Sequence, residues 1–238
     1  MDLIELLPQL HLLRFEVGQA YLWQDQDSLT LIDTGTAGSG PAVLDAIGSL
    51  GRDPAELSRL VLTHFHGDHT GSAAEIRSWH GAEVLAHRAD APIVRGEAPP
   101  PHPELLDWEW PLFEQVKGHL TGPPVPTDRE LEDGDLLDFG GGAKVLAIPG
   151  HTEGSLALHL PEHGVLFTGD TVANVEGPML GVFNQDRART VESFRRLAAL
   201  DSEIACFGHG DPLTGDAATA LRRAAAALPG DEPVSERG

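Results

Sequence analysis

The run Leu62-Thr63-His64-Phe65-His66-Gly67-Asp68-His69-Thr70-Gly71 restricts what this chain can fold into more than any other stretch. Three imidazoles and a carboxylate fall between His64 and His69, directly after an apolar β-rich segment. Neither the helical nor the strand period places all four groups on one buried face. Burying them without partners would cost several kcal/mol. A divalent cation removes that cost, because neutral imidazole nitrogen and carboxylate oxygen suit zinc and its neighbours. The segment is therefore expected where a strand leaves a sheet and where other ligands converge.

Three further polar residues stand in the same local setting. His151 follows Ala147-Ile148-Pro149-Gly150, Asp170 follows Val165-Leu166-Phe167-Thr168-Gly169, and His209 follows Ile204-Ala205-Cys206-Phe207-Gly208. Each is a Gly-flanked polar group where an apolar strand ends, and open α/β sheets gather ligand groups from strand ends along one edge. Strand patterns are read over residues 9–17, 20–24, 28–32, 59–63 and 82–86. Helical patterns lie over 41–50 and 71–80. The second half repeats the style, with strands over 136–139, 143–148, 155–160, 165–167 and 204–207 and helices over 190–200 and 216–228. Alternating strands and helices argue for a layered α/β architecture.

Residues 88–130 break this rhythm. They hold Pro99-Pro100-Pro101, Pro103, Pro111, Pro123, Pro124 and Pro126, with Trp108 and Trp110 between them. A helix over 104–117, kinked near Pro111, is expected in this insertion. Trp108, Trp110 and Phe113, with 174–183, are the candidates for a substrate wall, and the insertion is a candidate lid, since long loops in compact domains are often functional. Residues 1–228 fit one domain and 229–238 a polar, disordered tail.

A formal net charge of -21 repels phosphate backbones and anionic membranes, so neither nucleic acid nor a membrane is an expected partner. No apolar run is long enough to span a bilayer. The first residues lack a secretory signal and Cys206 is the single cysteine, which points to a cytoplasmic protein. Gly35-Thr36-Ala37-Gly38-Ser39-Gly40 lacks the Gly-Lys-Ser/Thr ending of a phosphate loop and reads as a turn. Oligomeric state cannot be read from the residues.

Taken in order, His64-x-His66-x-Asp68-His69, Gly150-His151-Thr152, Thr168-Gly169-Asp170-Thr171 and Gly208-His209-Gly210, with Asp33-Thr34-Gly35 upstream, resemble the motifs of the metallo-β-lactamase fold superfamily. The resemblance implies a four-layer αββα sandwich with a binuclear metal site on one edge of its sheets. It implies that His64, His66 and His151 hold one ion, that Asp68, His69 and His209 hold the second, and that Asp170 bridges them. Asp33 would orient a ligand loop through hydrogen bonds. Two divalent ions are implied, zinc first, with manganese or iron as alternatives.

The expected reaction is hydrolysis of an ester, thioester or lactone of a small molecule by a metal-bridging hydroxide that Asp68 orients. Within the family, Thr168-Gly169-Asp170 with His69 resembles the glyoxalase II and lactonase branches rather than the β-lactamases. The stretch after His209 is shorter than the helical glutathione-binding domain of glyoxalase II, and the one tyrosine, Tyr21, lies in an early strand. A mononuclear-iron persulfide dioxygenase and a phosphodiesterase or nuclease of the same fold are the alternatives.

Overall fold

A computed structural model describes residues 1–228; the tail expected over 229–238 lies outside the described residues. The chain opens with four strands, β1 (Asp2–Leu7), β2 (Leu10–Arg14), β3 (Gln19–Gln24) and β4 (Leu29–Ile32). There follow α1 (Gly40–Ser49), β5 (Leu57–Leu62), α2 (Gly67–Thr70), α3 (Ala73–His80), β6 (Glu83–His87), α4 (Ala91–Val94), α5 (Trp110–Val116) and β7 (Arg129–Leu131). The remainder is β8 (Leu136–Leu137), β9 (Ala143–Ala147), β10 (Leu156–Leu160), β11 (Val165–Phe167), β12 (Val172–Asn174), β13 (Pro178–Leu180), α6 (Arg187–Ala198), β14 (Ile204–Cys206), β15 (Leu213–Thr214) and α7 (Ala217–Ala226).

Strands β1 to β7 form one sheet in sequence order, and β15-β14-β11-β10-β9-β8 form a second; β12 and β13 make a small ribbon. The strand period of two explains how these sheets stack. Tyr21, Trp23, Ile32 and Val61 point from the first sheet into a core shared with Val145, Leu158, Phe167 and Cys206 of the second. Their neighbours Leu22, Leu31, Leu60 and Leu62 point the other way, against Val43 and Ile47 of α1 and Ile76 of α3. Leu146, Ala157, Leu166 and Ala205 of the second sheet face outward against Phe194 and Leu197 of α6 and Leu221 of α7. The result is the αββα sandwich, with the small, buried Cys206 serving as packing in the central layer.

Direction matters as much as layering. β4, β5 and β6 run parallel, as do β11 and β14, while β9 runs the same way as β11 because each is antiparallel to β10. The C-terminal ends of β4, β5, β9, β11 and β14 therefore open on common edges of their sheets. The Leu156 amide, which donates to the Thr63 carbonyl at 2.9 Å, ties the two sheets together there.

Two expectations are revised. The first strand begins at Asp2, because Asp2–Leu7 is a half-buried edge strand paired with β2. The helix in the insertion is confined to Trp110–Val116, with Pro111 in its first turn. Proline is tolerated there because that position donates no intrahelical bond, so Pro111 starts the helix and does not kink it. No helix of the described residues is long and apolar enough to cross a membrane.

Candidate metal centre

The first ligand loop leaves β5 and turns at once into α2, whose His69 and Thr70 amides donate to the His66 carbonyl. This tight turn keeps His64, His66, Asp68 and His69 together, with the His64 and His69 rings 4.1 Å apart. His151 arrives from the loop after β9, Asp170 from the loop after β11 and His209 from the loop after β14. His64, His66 and His151 form one group of closely spaced donor atoms and Asp68, His69 and His209 a second, while His64, His69 and Asp170 form a third between them.

In the first group, His66 Nδ1 lies 3.0 Å from His64 Nε2 and 3.0 Å from His151 Nε2. The Thr63 hydroxyl donates to Asp33 Oδ2 at 2.8 Å, so at its 3.0 Å contact with His64 Nδ1 it accepts. The proton of a neutral His64 is thus on Nδ1, and Nε2 turns a lone pair toward the other two rings. Burial, then the nearby His69, pushes His64 well below its ordinary pKa. Burial brings His66 down to about 3 and lowers His151 as well. Three neutral rings thus crowd their nitrogens around one point. A tetrahedral ion with nitrogen ligands at about 2.0–2.1 Å would space those nitrogens by roughly 3.3 Å, close to the arrangement present.

The second group is held by charge. His209 Nε2 is 3.1 Å from Asp68 Oδ2, and His69 Nε2 is 3.5 Å from the same oxygen. Asp170 stands between the groups: Oδ1 is 3.3 Å from His69 Nε2, and Oδ2 is 3.2 Å from His209, 3.8 Å from His151 and 4.0 Å from His64. The adjacent Asp170 carboxylate lifts His209 to about 10. Burial alone would lower His69, but Asp170, Asp68 and Asp33 outweigh it and hold His69 well above its ordinary value. Burial alone would likewise raise Asp68 and Asp170, but His69 and His209 keep both well below the usual carboxylate range. His69 Nε2 and Asp170 Oδ1, which face this centre, are buried without a hydrogen-bond partner. This donor set fits divalent cations: nitrogen and carboxylate oxygen, converging, desolvated and short of partners.

A layer of buried groups positions these ligands. Asp33, in the left-handed region at φ 59°, accepts from the Thr63 amide and hydroxyl and from His69 Nδ1, each at 2.8 Å. Gly208 leaves no room for a Cβ, which would overlap Asp170 Oδ1 and lie 2.7 Å from His69 Cε1. Asp90 is not legible from the sequence as a site residue. As an Asp before Ala91-Pro92 it reads as a helix cap, yet its side chain makes no capping bond. Its buried carboxylate instead accepts from the Phe65 amide at 3.1 Å, the Thr152 hydroxyl at 2.8 Å and the Gly154 amide at 2.8 Å. Burial raises Asp90 to about 6 against those donors. It joins the loop of His64 and His66 to the loop of His151.

Around the centre, a cavity of about 300 Å³ beside His209 is lined by Arg14, Phe15, Glu16, Val175 and Asp211 among others. Arg14 and Asp211 pair across it at 2.5 Å. The aromatic residues of the insertion lie elsewhere. Trp108 and Trp110 are 56% and 51% exposed, while Phe113 is buried between Trp110 and Phe183. The buried Glu109 carboxylate accepts from the Leu106 and Phe183 amides, docking the insertion on the segment that follows Asp170. The chain at 119–121 also covers α2: a Cβ on Gly67 would come within 2.8 Å of the Thr121 backbone.

The comparisons with known proteins agree with this geometry. Residues 13–209 match the metallo-beta-lactamase superfamily, and the chain belongs to that family. Among individual proteins, it is 28% identical over 232 residues to the probable metallo-hydrolase YflN of Bacillus subtilis, covering 86% of this chain and 85% of that one. It is 31% identical over 180 residues to a hydroxyacylglutathione hydrolase of Cereibacter sphaeroides, covering 75% of this chain and 56% of that enzyme. A shorter match, 37% over 117 residues, links 47% of the chain to 40% of the acyl-coenzyme A thioesterase MBLAC2 of Gallus gallus. A metallo-beta-lactamase family protein from Thermus thermophilus superposes with TM-score 0.69 at 28% identity, over 93% of this chain and 80% of that one.

The Asp90 cross-link generates a first prediction. An Asn at this position must turn its NH2 toward either the Gly154 or the Phe65 amide, losing at least one buried bond at about 1–3 kcal/mol. Asp90→Asn is expected to lower Tm by about 2–4 °C per kcal/mol lost. Thermal unfolding followed by circular dichroism checks this; an unchanged Tm would contradict the cross-link.

Proposed function

We propose that the chain is a binuclear metal-dependent hydrolase of an ester, thioester or lactone in a small molecule. The observation that carries this reading is the packing of His66 Nδ1 at 3.0 Å from both His64 Nε2 and His151 Nε2 beside a second His/Asp group, with Asp170 in reach of both. His64, His66, His151 and Asp170 would hold one ion, and Asp68, His69, His209 and Asp170 the other, with zinc as the first metal to test. Divalent ions bound there supply Lewis acidity at the scissile carbonyl and make a water acidic enough to ionise near neutral pH.

The chain's own residues do the remaining work. Asp68 is ionised and its Oδ2 lies between His69 and His209, so it can accept a hydrogen bond from the attacking water and set its direction. Asp33 holds His69, and Asp90 holds the two loops of the first group, so the ligands need little rearrangement during turnover. The names of the hydroxyacylglutathione hydrolase and the acyl-coenzyme A thioesterase support thioesters as the first substrates to try. The buried, unbridged Cys206 accords with a reducing, cytoplasmic setting.

The experiment that tests this reading is chelation followed by metal return, scored over thioesters, lactones, aryl esters and phosphodiesters. Turnover of an acyl substrate should vanish on chelation and recover with zinc or manganese. Full activity in metal-free protein would refute the proposal, and oxygen consumption with a persulfide and a single iron would replace it.

Protonation supplies a second check. In metal-free protein at neutral pH, His209 and His69 carry protons, while His64, His66 and His151 do not. Binding at the second group must release those protons, so its affinity is expected to rise with pH by up to about tenfold per pH unit per proton. Affinity at the first group, whose rings are all lowered by burial, should change less with pH near neutrality. Calorimetry in buffers of different ionisation enthalpy measures the release; equal proton release at both steps would contradict the assignment.

The substrate wall can be tested separately. Trp108 and Trp110 stand exposed on the insertion, which Phe113 packs against Phe183 of the segment after Asp170. They are therefore the candidates to cover an apolar acyl chain that extends beyond the cavity at His209. Trp108→Ala and Trp110→Ala should each raise KM several-fold for long-chain acyl substrates and leave kcat near the parent value. Unchanged KM values for every substrate would remove these residues from the wall.

A further inference from the structure

We propose that Gln19 and Tyr21 are the positioning residues of His209, and that they decide whether the second ion is retained while the first is held independently. This inference rests on the two-ion reading above and goes beyond it by assigning a determinant of occupancy that lies outside both ligand sets.

His209 is held differently from His69 and His64. His69 Nδ1 bonds to Asp33 and His64 Nδ1 to Thr63. For the His209 ring no hydrogen-bond partner of that kind is present among the described residues; its Nε2 faces only the Asp68 and Asp170 carboxylates. Its side chain is also 34% exposed, against 2% or less for His64, His69 and His151. The ring is therefore placed by the backbone that carries it.

That backbone is tied on both sides. Within its own half, the Gly208 amide donates to the Gly169 carbonyl and the Asn174 amide donates to the His209 carbonyl. From the other sheet, Gln19 and Tyr21 reach across. They stand two apart on β3 and so share one face. The Tyr21 hydroxyl donates to the Phe207 carbonyl at 2.8 Å and accepts from the Phe207 amide at 3.0 Å. Gln19 Nε2 lies 2.8 Å from the Phe207 carbonyl, 2.8 Å from the Gly210 carbonyl and 3.1 Å from the Tyr21 hydroxyl. Both side chains are buried, so these bonds form without competition from water. Phe207 and Gly210 bracket Gly208 and His209, so the clamp grips the ligand loop at both ends.

The second ion draws Asp68 and His69 from the first sheet and His209 from the second, so its cage exists only while the sheets keep their offset there. Gly18, next to Gln19, lies against the same cage from the first sheet: a Cβ on it would lie 3.0 Å from the Asp68 carbonyl. The first ion has its own cross-link, Asp90, joining Phe65 to Thr152 and Gly154. The two links share no residue, so one can be cut while the other stands.

Tyr21→Phe removes only the hydroxyl, keeping the ring that packs edge-on to Phe167 at 5.4 Å, and Gln19→Met removes the amide at similar length. Each metal-free variant is titrated with zinc against a chromophoric chelator, with bound ions counted by native mass spectrometry and folding checked by circular dichroism. Wild-type protein should bind two ions. Both variants should hold the first within about threefold of wild-type affinity and bind the second about 10–100-fold more weakly. Two ions bound with wild-type affinities in both variants would overturn the clamp, as would equal weakening of both ions. A wild-type protein that binds a single ion would instead refute the two-ion reading, and the clamp with it.

Discussion

The site depends on one constraint: imidazole lone pairs and carboxylates are buried together at one edge of the sandwich, where only protons or cations neutralise them. Five histidines from two sheets, with Asp68 and Asp170, converge where the strands β5, β9, β11 and β14 end. Without cations, the arrangement has neutral nitrogens facing one another in one half and protonated imidazoles held by carboxylates in the other. Such a collection persists only because the central apolar layer, from Tyr21 and Trp23 to Phe167 and Cys206, holds the sheets in register regardless of the edge. Hydrophobic burial thus supplies the stability, and the edge holds the chemistry.

The two cross-links show how that division is kept. Asp90 and the Gln19–Tyr21 pair are polar, buried and satisfied by partners across the sheets. Their hydrogen bonds add modest net stability. What they confer is position, because groups behind the ligands fix ring orientation and reach. Each lies behind a different ligand group, Asp90 behind His64, His66 and His151 and the Gln19–Tyr21 pair behind His209.

Much of this is legible in the residues. His64, His66, Asp68, His69, His151, Asp170 and His209 stand out because each belongs to a polar, glycine-containing stretch after an apolar strand, and the structure brings them together. Asp33 stands out for the same reason, and its bonds to Thr63 and His69 are local to neighbouring strand ends. Asp90, Gln19 and Tyr21 do not stand out. Their partners across the sheets lie 62 to 191 residues away, a separation no periodicity reports. Residues 2–7 are hard to read as a strand because an edge strand buries only part of its pattern. The helix of the insertion starts later than its pattern suggests because Pro111 opens the helix, a position that suits proline, and does not interrupt it.

The central claim is that the two groups each hold one ion with Asp170 between them. Anomalous diffraction from crystals of zinc-loaded protein, collected above and below the zinc edge, tests it directly. Two peaks about 3.5–4 Å apart are expected, one against His64, His66 and His151 and one against Asp68, His69 and His209. A single peak, or a pair that leaves His209 or Asp170 uncoordinated, would contradict it.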